Sequence, residues 1–525
     1  MVASLKREDA AMGRLWCGDR ETTAEAIRER ALRAASGLET LGVREGDAVA
    51  FCLRNEFAFF EVVQAAGILG AFPVAVNWHC TLDEADYVLR DCGARVLVIH
   101  ADLLAGLRAA VPEGVQVISV RTPPEVTSAY GLAPSAGEVA PGDLEWGVWL
   151  EGFPPWSGEA RRAPSVIIYT SGTTGRPKGV KRGAATEEQA QASMSMLLRS
   201  YGYADWIDRP GEIVTAVVGP IYHSAPNAHA NVSVNIGANV AVMPRFDPEA
   251  LLALIQDKRI THLNMAPVMF NRLVKLPQSV RDRYDLSSLR FVAHAAAPVS
   301  PSVKREMIEW WGPVINEYYG STEMGNVTFC TAEEWLAHPG TVGRPMPNTI
   351  VRVVDEEGND CPVGVPGEVL GRNLGSVDFT YHGDDAKRRR AEKFGLISPG
   401  DIGYFDADGF LHLCDRSSDM VISGGVNIYP AEIEAILLKM PGVADCAVFG
   451  IPDEEYGEAL CAVVQPQEGQ EIDPQDVKLW IRGQLAGFKV PREVQFSAAL
   501  PREDSGKIFK RKLREPWWEG RERRI

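Results

Sequence analysis

From Thr23 to about Leu41 apolar residues recur at the spacing of one helical face, and Gly42 and Gly46-Asp47 then lead into the unbroken apolar run Ala48-Val49-Ala50-Phe51-Cys52-Leu53. A helix ending near Gly70 precedes Phe72-Pro73-Val74-Ala75-Val76, and another near 83–91 precedes Arg95-Val96-Leu97-Val98-Ile99. Strands that are apolar on both faces must be covered on both faces. Their alternation with helices therefore predicts crossover units and a largely parallel sheet. The pattern resumes at 212–218, 240–243, 260–264 and 290–294, while the Pro-, Gly- and Glu-rich stretch 121–160 reads as a surface excursion. Beyond about residue 340, Val351–Val354, the turn Asp355–Asp360, Gly367–Leu370 and Gly403–Leu413 predict hairpins and a smaller antiparallel unit. A last α+β segment begins near Ser417, with helices predicted at 431–440 and 474–486.

Composition narrows the classes. At 525 residues the chain exceeds one hydrophobic core, so two or more domains are expected. The 54 Lys and Arg against 70 Asp and Glu give a net charge of −16, which argues against a nucleic-acid partner. The nine cysteines are scattered singly with no C-x-x-C pair, the usage of reduced thiols in a cytoplasmic protein. No H-E-x-x-H occurs, and His223 and His229 sit six apart, so no dedicated zinc site is expected. The N-terminal residues are charged where a signal peptide would be apolar. The most apolar stretch, Phe57 to Val76, is interrupted by Glu61, Gln64, Gly67, Gly70 and Pro73. It reads as a buried helix running into a strand, and no transmembrane segment is expected.

The strongest chemical signal is Ser165-Val166-Ile167-Ile168-Tyr169-Thr170-Ser171-Gly172-Thr173-Thr174-Gly175-Arg176-Pro177-Lys178-Gly179. A buried strand runs into a loop whose glycines let backbone N–H groups turn toward an anion. Hydroxyls add donors, and Lys178 adds charge. That composition suits a polyphosphate, although the Walker pattern cannot be laid on it. Tyr169–Gly179 resembles the signature of the adenylate-forming superfamily, which includes acyl-CoA synthetases, luciferases and the adenylation domains of peptide synthetases. Further motifs follow in the family's order. They are Tyr319-Gly320-Ser321-Thr322-Glu323, Gly400-Asp401-Ile402-Gly403 with Asp415-Arg416, Ser423-Gly424-Gly425 through Glu434, and Pro501-Arg502-Glu503-Asp504-Ser505-Gly506-Lys507-Ile508.

The resemblance implies an α/β fold. A large N-terminal domain (1–416) of mixed, mainly parallel sheets layered with helices would carry a small antiparallel barrel-like unit, and a small mobile α+β domain (417–525) would carry the catalytic lysine. It implies ATP, Mg²⁺ and coenzyme A as cofactors. Thr170, Ser171, Gly172, Thr173, Thr174, Gly175 and Lys178 would cradle phosphates. Glu323 would hold Mg²⁺, and Thr322 would bond the α-phosphate. Tyr319, with Gly320 and Ser321, would meet the adenine beside the loop Ala295-Ala296-Ala297-Pro298. Asp401 and Arg416 would bind the ribose, and Lys507 would meet the carboxylate and α-phosphate oxygens. Gly424 and Gly425 would face the pantetheine tunnel once the small domain swings about a hinge at Ser418.

The chain departs from the family at the adenine loop, often Gly-Gly-Ala-Pro and here all alanine before Pro298, and at Glu503, where Thr is common. His223 stands in Gly219–Pro226 where peptide-synthetase domains place an Asp, which disfavours an amino acid and lets His223 orient the incoming carboxylate. The pocket neighbours Tyr222, Asn227, His294, Ala295, Tyr318, Met324 and Val327 are mostly apolar or uncharged. A hydrophobic acid, fatty or bulky and ring-bearing, is the expected substrate. Loading of a separate carrier protein and a luciferase-like oxygenase are the alternatives, and a homodimer is left open.

Overall fold

The computed structural model describes residues 13–159, 161–170, 177–382, 385–502 and 508–519. The alternation of apolar runs and helices is realised as two large sheets. In the first, of eight strands, Phe72–Ala75, Ala48–Cys52, Ala94–His100 and Gln116–Val120 run parallel, and Ile167–Thr170 joins in parallel beside Phe72–Ala75. Ala48–Cys52 is buried throughout, which is why it carries no polar position. The helix Phe57–Ile68 is apolar on nearly all sides and buried. Glu61 within it is only 3 % exposed, paired to Arg30 Nε at 2.5 Å and accepting from Trp146 Nε1 at 2.6 Å. Among the described residues no helix is long and apolar enough to cross a membrane.

In the second sheet Asn239–Val242, Val214–Val217, His262–Met265, Phe291–His294 and Ile315–Ser321 are parallel neighbours. The antiparallel strands expected beyond residue 340 are present, but they are not detached. Thr341–Pro345 pairs with Leu411–Arg416, so the hairpin strands continue the second sheet edge-on. A third sheet, of five strands, is built from residues 421–496, with helices Pro430–Leu437 and Pro474–Arg482 packed on it.

The stretch 121–160 is not a surface excursion. It contains the helices Pro124–Ala129 and Trp146–Glu151 and the edge strand Leu144–Glu145 of the first sheet, and Trp146 and Leu150 are almost wholly buried. Two aromatic and aliphatic anchors outweigh a loop-like composition once they have a core to enter.

In open parallel sheets, ligands collect at the carboxyl ends of the strands. Here those ends are Thr170 in the first sheet, and the residues after Val217, after His294 and at Tyr319–Ser321 in the second. Asn55 ties the two sheets at this rim. Its amide donates to Gly219 O at 2.9 Å and Met243 O at 3.1 Å, and its oxygen accepts from Ile221 N at 3.0 Å.

Candidate active site

The two strands that flank the expected phosphate loop pair with each other. Ile167–Thr170 pairs antiparallel with Lys178–Arg182, setting Thr170 opposite Lys178. Ser171, Gly172, Thr173, Thr174 and Gly175 lie outside the described residues, as does Lys507. The strand pair is held by Tyr169, whose hydroxyl donates to Asp91 at 2.5 Å; burial pushes that phenol's pKa up. On its other edge Lys178–Arg182 pairs with Phe379–Tyr381.

The Tyr-Gly-Ser-Thr-Glu segment turns between Ile315–Ser321 and Gly325–Cys330. Only glycine fits at 320, because a Cβ there would lie 2.1 Å from Gly325 O. Ser321 Oγ accepts from Met324 N at 3.0 Å and closes the turn that presents Thr322 and Glu323. Three neighbours grip that turn. Thr322 Oγ1 meets Ser224 Oγ at 3.2 Å, at the first turn of the helix Ser224–Asn235. Arg182 Nη2 donates to Thr322 O at 3.0 Å and Glu323 O at 2.6 Å. Tyr381 donates its hydroxyl to Glu323 Oε1 at 3.1 Å. The helix N-terminus favours negative charge beside Thr322.

Asp401 and Arg416 are direct cross-strand partners, with Arg416 Nε 3.4 Å from Asp401 Oδ1. The other carboxylate oxygen accepts from the Tyr319 hydroxyl at 2.6 Å. Burial, with Asp401 next to it, raises the Tyr319 phenol, so Tyr319 stays a donor. The sequence placed Tyr319 against a base. The structure adds that its hydroxyl fixes the carboxylate of Asp401, the residue expected to bind the ribose.

Ala295 is buried with Tyr318 and Tyr201, and Ala296 is exposed with φ = 77°. His223 precedes the helix Ser224–Asn235, its ring 4.4 Å from Tyr222, which meets Trp78 edge-on at 4.5 Å. Tyr318 donates to Asn264 Oδ1 at 3.3 Å. His294 is fully buried between Phe270 and Glu317, beside the buried Lys304–Glu317 pair, and desolvation drives its pKa well down. Gly424 and Gly425 form the exposed two-residue turn between Val421–Ser423 and Val426–Ile428. Both have positive φ, 57° and 81°, as a tight hairpin turn of this hand requires.

The strand pair Ile167–Thr170 and Lys178–Arg182, the Thr322–Glu323 turn and the Asp401–Arg416 pair thus stand at one rim, joined by side-chain contacts. The family model for AMP-binding enzymes matches residues 3–376, and the model for their C-terminal domain matches 432–507. The chain belongs to the AMP-binding enzymes. Its relatives place it in their acyl-CoA synthetase branch. It is 31% identical to the fatty acid–[acyl-carrier-protein] ligase ScoC of Streptomyces coeruleorubidus, over 97% of this chain and 94% of that one. It is 32% identical to a feruloyl-CoA synthase of an Amycolatopsis species, over 95% and 94%. ATP-bound MatB of Rhodopseudomonas palustris has the same fold, with a TM-score of 0.81 at 27% identity, over 98% and 97% of the two chains.

In this AMP-binding enzyme the sequence missed Asn55, Arg182 and Tyr381. Asn55 and Arg182 act on main-chain atoms of remote segments, and Tyr381 comes from a strand whose pairing was not foreseen. The one available signal was local: Arg182 closes a strand that opens at the phosphate-loop lysine.

Proposed function

We propose that this enzyme uses ATP to convert a hydrophobic carboxylic acid, fatty or ring-bearing, into an acyl-adenylate, and then transfers the acyl group to coenzyme A. The observation that carries this reading is the Thr322–Glu323 turn, clasped between the strand Lys178–Arg182 and the start of the helix Ser224–Asn235. A carboxylate attacking the α-phosphate meets like-charge repulsion, so the protein must position both anions and supply donors where charge develops. Thr322 donates to the α-phosphate. Lys178 and the loop 170–175 hold the outer phosphates. Asp401, already oriented by Tyr319 and Arg416, accepts from the ribose hydroxyls. His223, ahead of the helix Ser224–Asn235, orients the incoming carboxylate. Lys507 donates to the oxygens between acid and phosphate, and leaves when the small domain, residues 417–525, swings.

Mg²⁺ fits Glu323. Among the described residues no group of three or more His, Cys, Asp and Glu could hold a metal on its own. A single carboxylate, completed by substrate phosphates, is how Mg²⁺ is usually bound. When bound, it would neutralise phosphate charge. All nine cysteines are unpaired thiols, which supports a reducing, cytoplasmic setting.

Tyr222, Asn227, Ala295 and Tyr318 are all buried and apolar to weakly polar, which supports a hydrophobic monocarboxylate. A second reading has one specific observation behind it: ScoC, among the similar relatives, is a carrier-protein ligase. The two readings separate in a panel of carboxylates scored for pyrophosphate release with and without coenzyme A. Faster turnover and thioester formation with coenzyme A support the first. Acid-dependent release that coenzyme A leaves unchanged supports carrier loading, and no release with any fatty or aryl acid would refute both.

A further inference from the structure

We propose that Arg182 is a positioning residue that locks the metal-bearing turn to the strand pair that frames the phosphate loop. The inference rests on the reading of Thr322 and Glu323 given above. The strand Lys178–Arg182 begins at the phosphate-loop lysine and ends at this arginine. The guanidinium spends its donors on main-chain carbonyls. Nη2 reaches both Thr322 O (3.0 Å) and Glu323 O (2.6 Å), and Nη1 donates to Val377 O. Asp378, the nearest acid along that segment, is engaged by Arg388 at 2.9 and 3.0 Å.

A planar fork with several fixed donors can hold two successive carbonyls and a third from another segment at once, whereas a lysine places all three of its donors on one nitrogen. Pinning those carbonyls fixes the peptide planes from which the Thr322 and Glu323 side chains spring. The neighbouring strand completes the clamp. Phe379 sits in register with Arg182, its ring 5.6 Å from the guanidinium, and Tyr381 donates to the Glu323 carboxylate itself. Backbone and carboxylate of Glu323 are thus both held from the strand pair that frames the phosphate loop. A metal carboxylate built this way keeps its aim relative to the phosphates, and loses it when the clamp is cut.

The test is binding of α,β-methylene-ATP, measured by calorimetry with and without Mg²⁺, on wild type, Arg182→Met, Arg182→Lys, Tyr381→Phe and Glu323→Gln. Melting temperatures are taken alongside. Mg²⁺ should tighten binding to wild type. Arg182→Met should lose about tenfold or more of that Mg²⁺-dependent gain, the worth of charged hydrogen bonds, while its Mg²⁺-free affinity moves much less. Arg182→Lys should recover part, and Tyr381→Phe should lose less in the same direction. An equal loss with and without Mg²⁺, or an unchanged gain in Arg182→Met, would overturn the inference. If Arg182→Met does not fold, Tyr381→Phe decides, and an unchanged gain there counts against it. Glu323→Gln separates the levels. If it keeps the full gain, the reading of Glu323 fails; if it alone loses the gain, only the role of Arg182 fails.

Discussion

Ala296 carries the clearest strain near the site. Its φ of 77° lies in the left-handed region, where a Cβ crowds the following carbonyl at a cost of about 1–2 kcal/mol. The family resemblance leads one to expect glycine in this loop, and the departure visible in the sequence becomes a conformational cost in the structure. Ala296→Gly should relieve it. Glycine's greater freedom in the unfolded chain returns roughly 0.5–1 kcal/mol of that, leaving a net gain of about 0.5 kcal/mol. The urea midpoint should rise slightly, and nucleotide affinity should weaken if the strained alanine holds the loop in its binding shape. A marked fall in the midpoint would show that the methyl at 296 contributes packing that outweighs the strain.

At the scale of elements, what was legible follows from where the partners lie. Strands buried on both faces, such as Ala48–Cys52 and Ala94–His100, announce themselves because every position must be apolar. Family motifs mark Thr170, Lys178, Thr322, Glu323, Asp401 and Arg416, and the structure pairs Asp401 with Arg416 and Thr170 with Lys178. Arg182 was not legible, since main-chain carbonyls leave no pattern in a sequence. Tyr381 was not, because its strand returns from about 200 residues away to pair with Lys178–Arg182, a register no local periodicity encodes. The misreading of 121–160 has a different cause: Pro, Gly and Glu dominate its composition, while Trp146 and Leu150 carry its burial. The edge-on attachment of the antiparallel strands through Thr341 and His412 is likewise a tertiary choice.

At the scale of the whole molecule, the segment after Arg416 links the two large sheets to the third. Arg514 donates to Ser418 O at 3.1 Å and lies 3.3 Å from Asp419 Oδ1, and Asp415 Oδ2 accepts from Ala431 N at 2.8 Å, across that segment. We propose that this is the hinge and that the Gly424–Gly425 turn meets the thiol after the swing. The turn's geometry sharpens how that is tested. At 425 a Cβ would meet nothing within 4 Å, but φ is 81°, so leucine there is strained even where there is room. Gly425→Asn, which tolerates the left-handed region, therefore belongs beside Gly425→Leu. A tunnel role predicts normal adenylation with slowed thioester formation in both variants, more in leucine. A mere turn predicts that asparagine restores both half-rates, and that leucine lowers both together with the melting temperature.

In the proposed reaction the acid is activated on the α-phosphate. The most direct measurement uses an acid from the panel carrying heavy oxygen in its carboxylate, turned over with ATP and coenzyme A, with mass analysis of the phosphate products. Attack on the α-phosphate leaves one carboxylate oxygen in AMP, with pyrophosphate unlabelled. Label in inorganic phosphate or pyrophosphate, or AMP released without label, would contradict it.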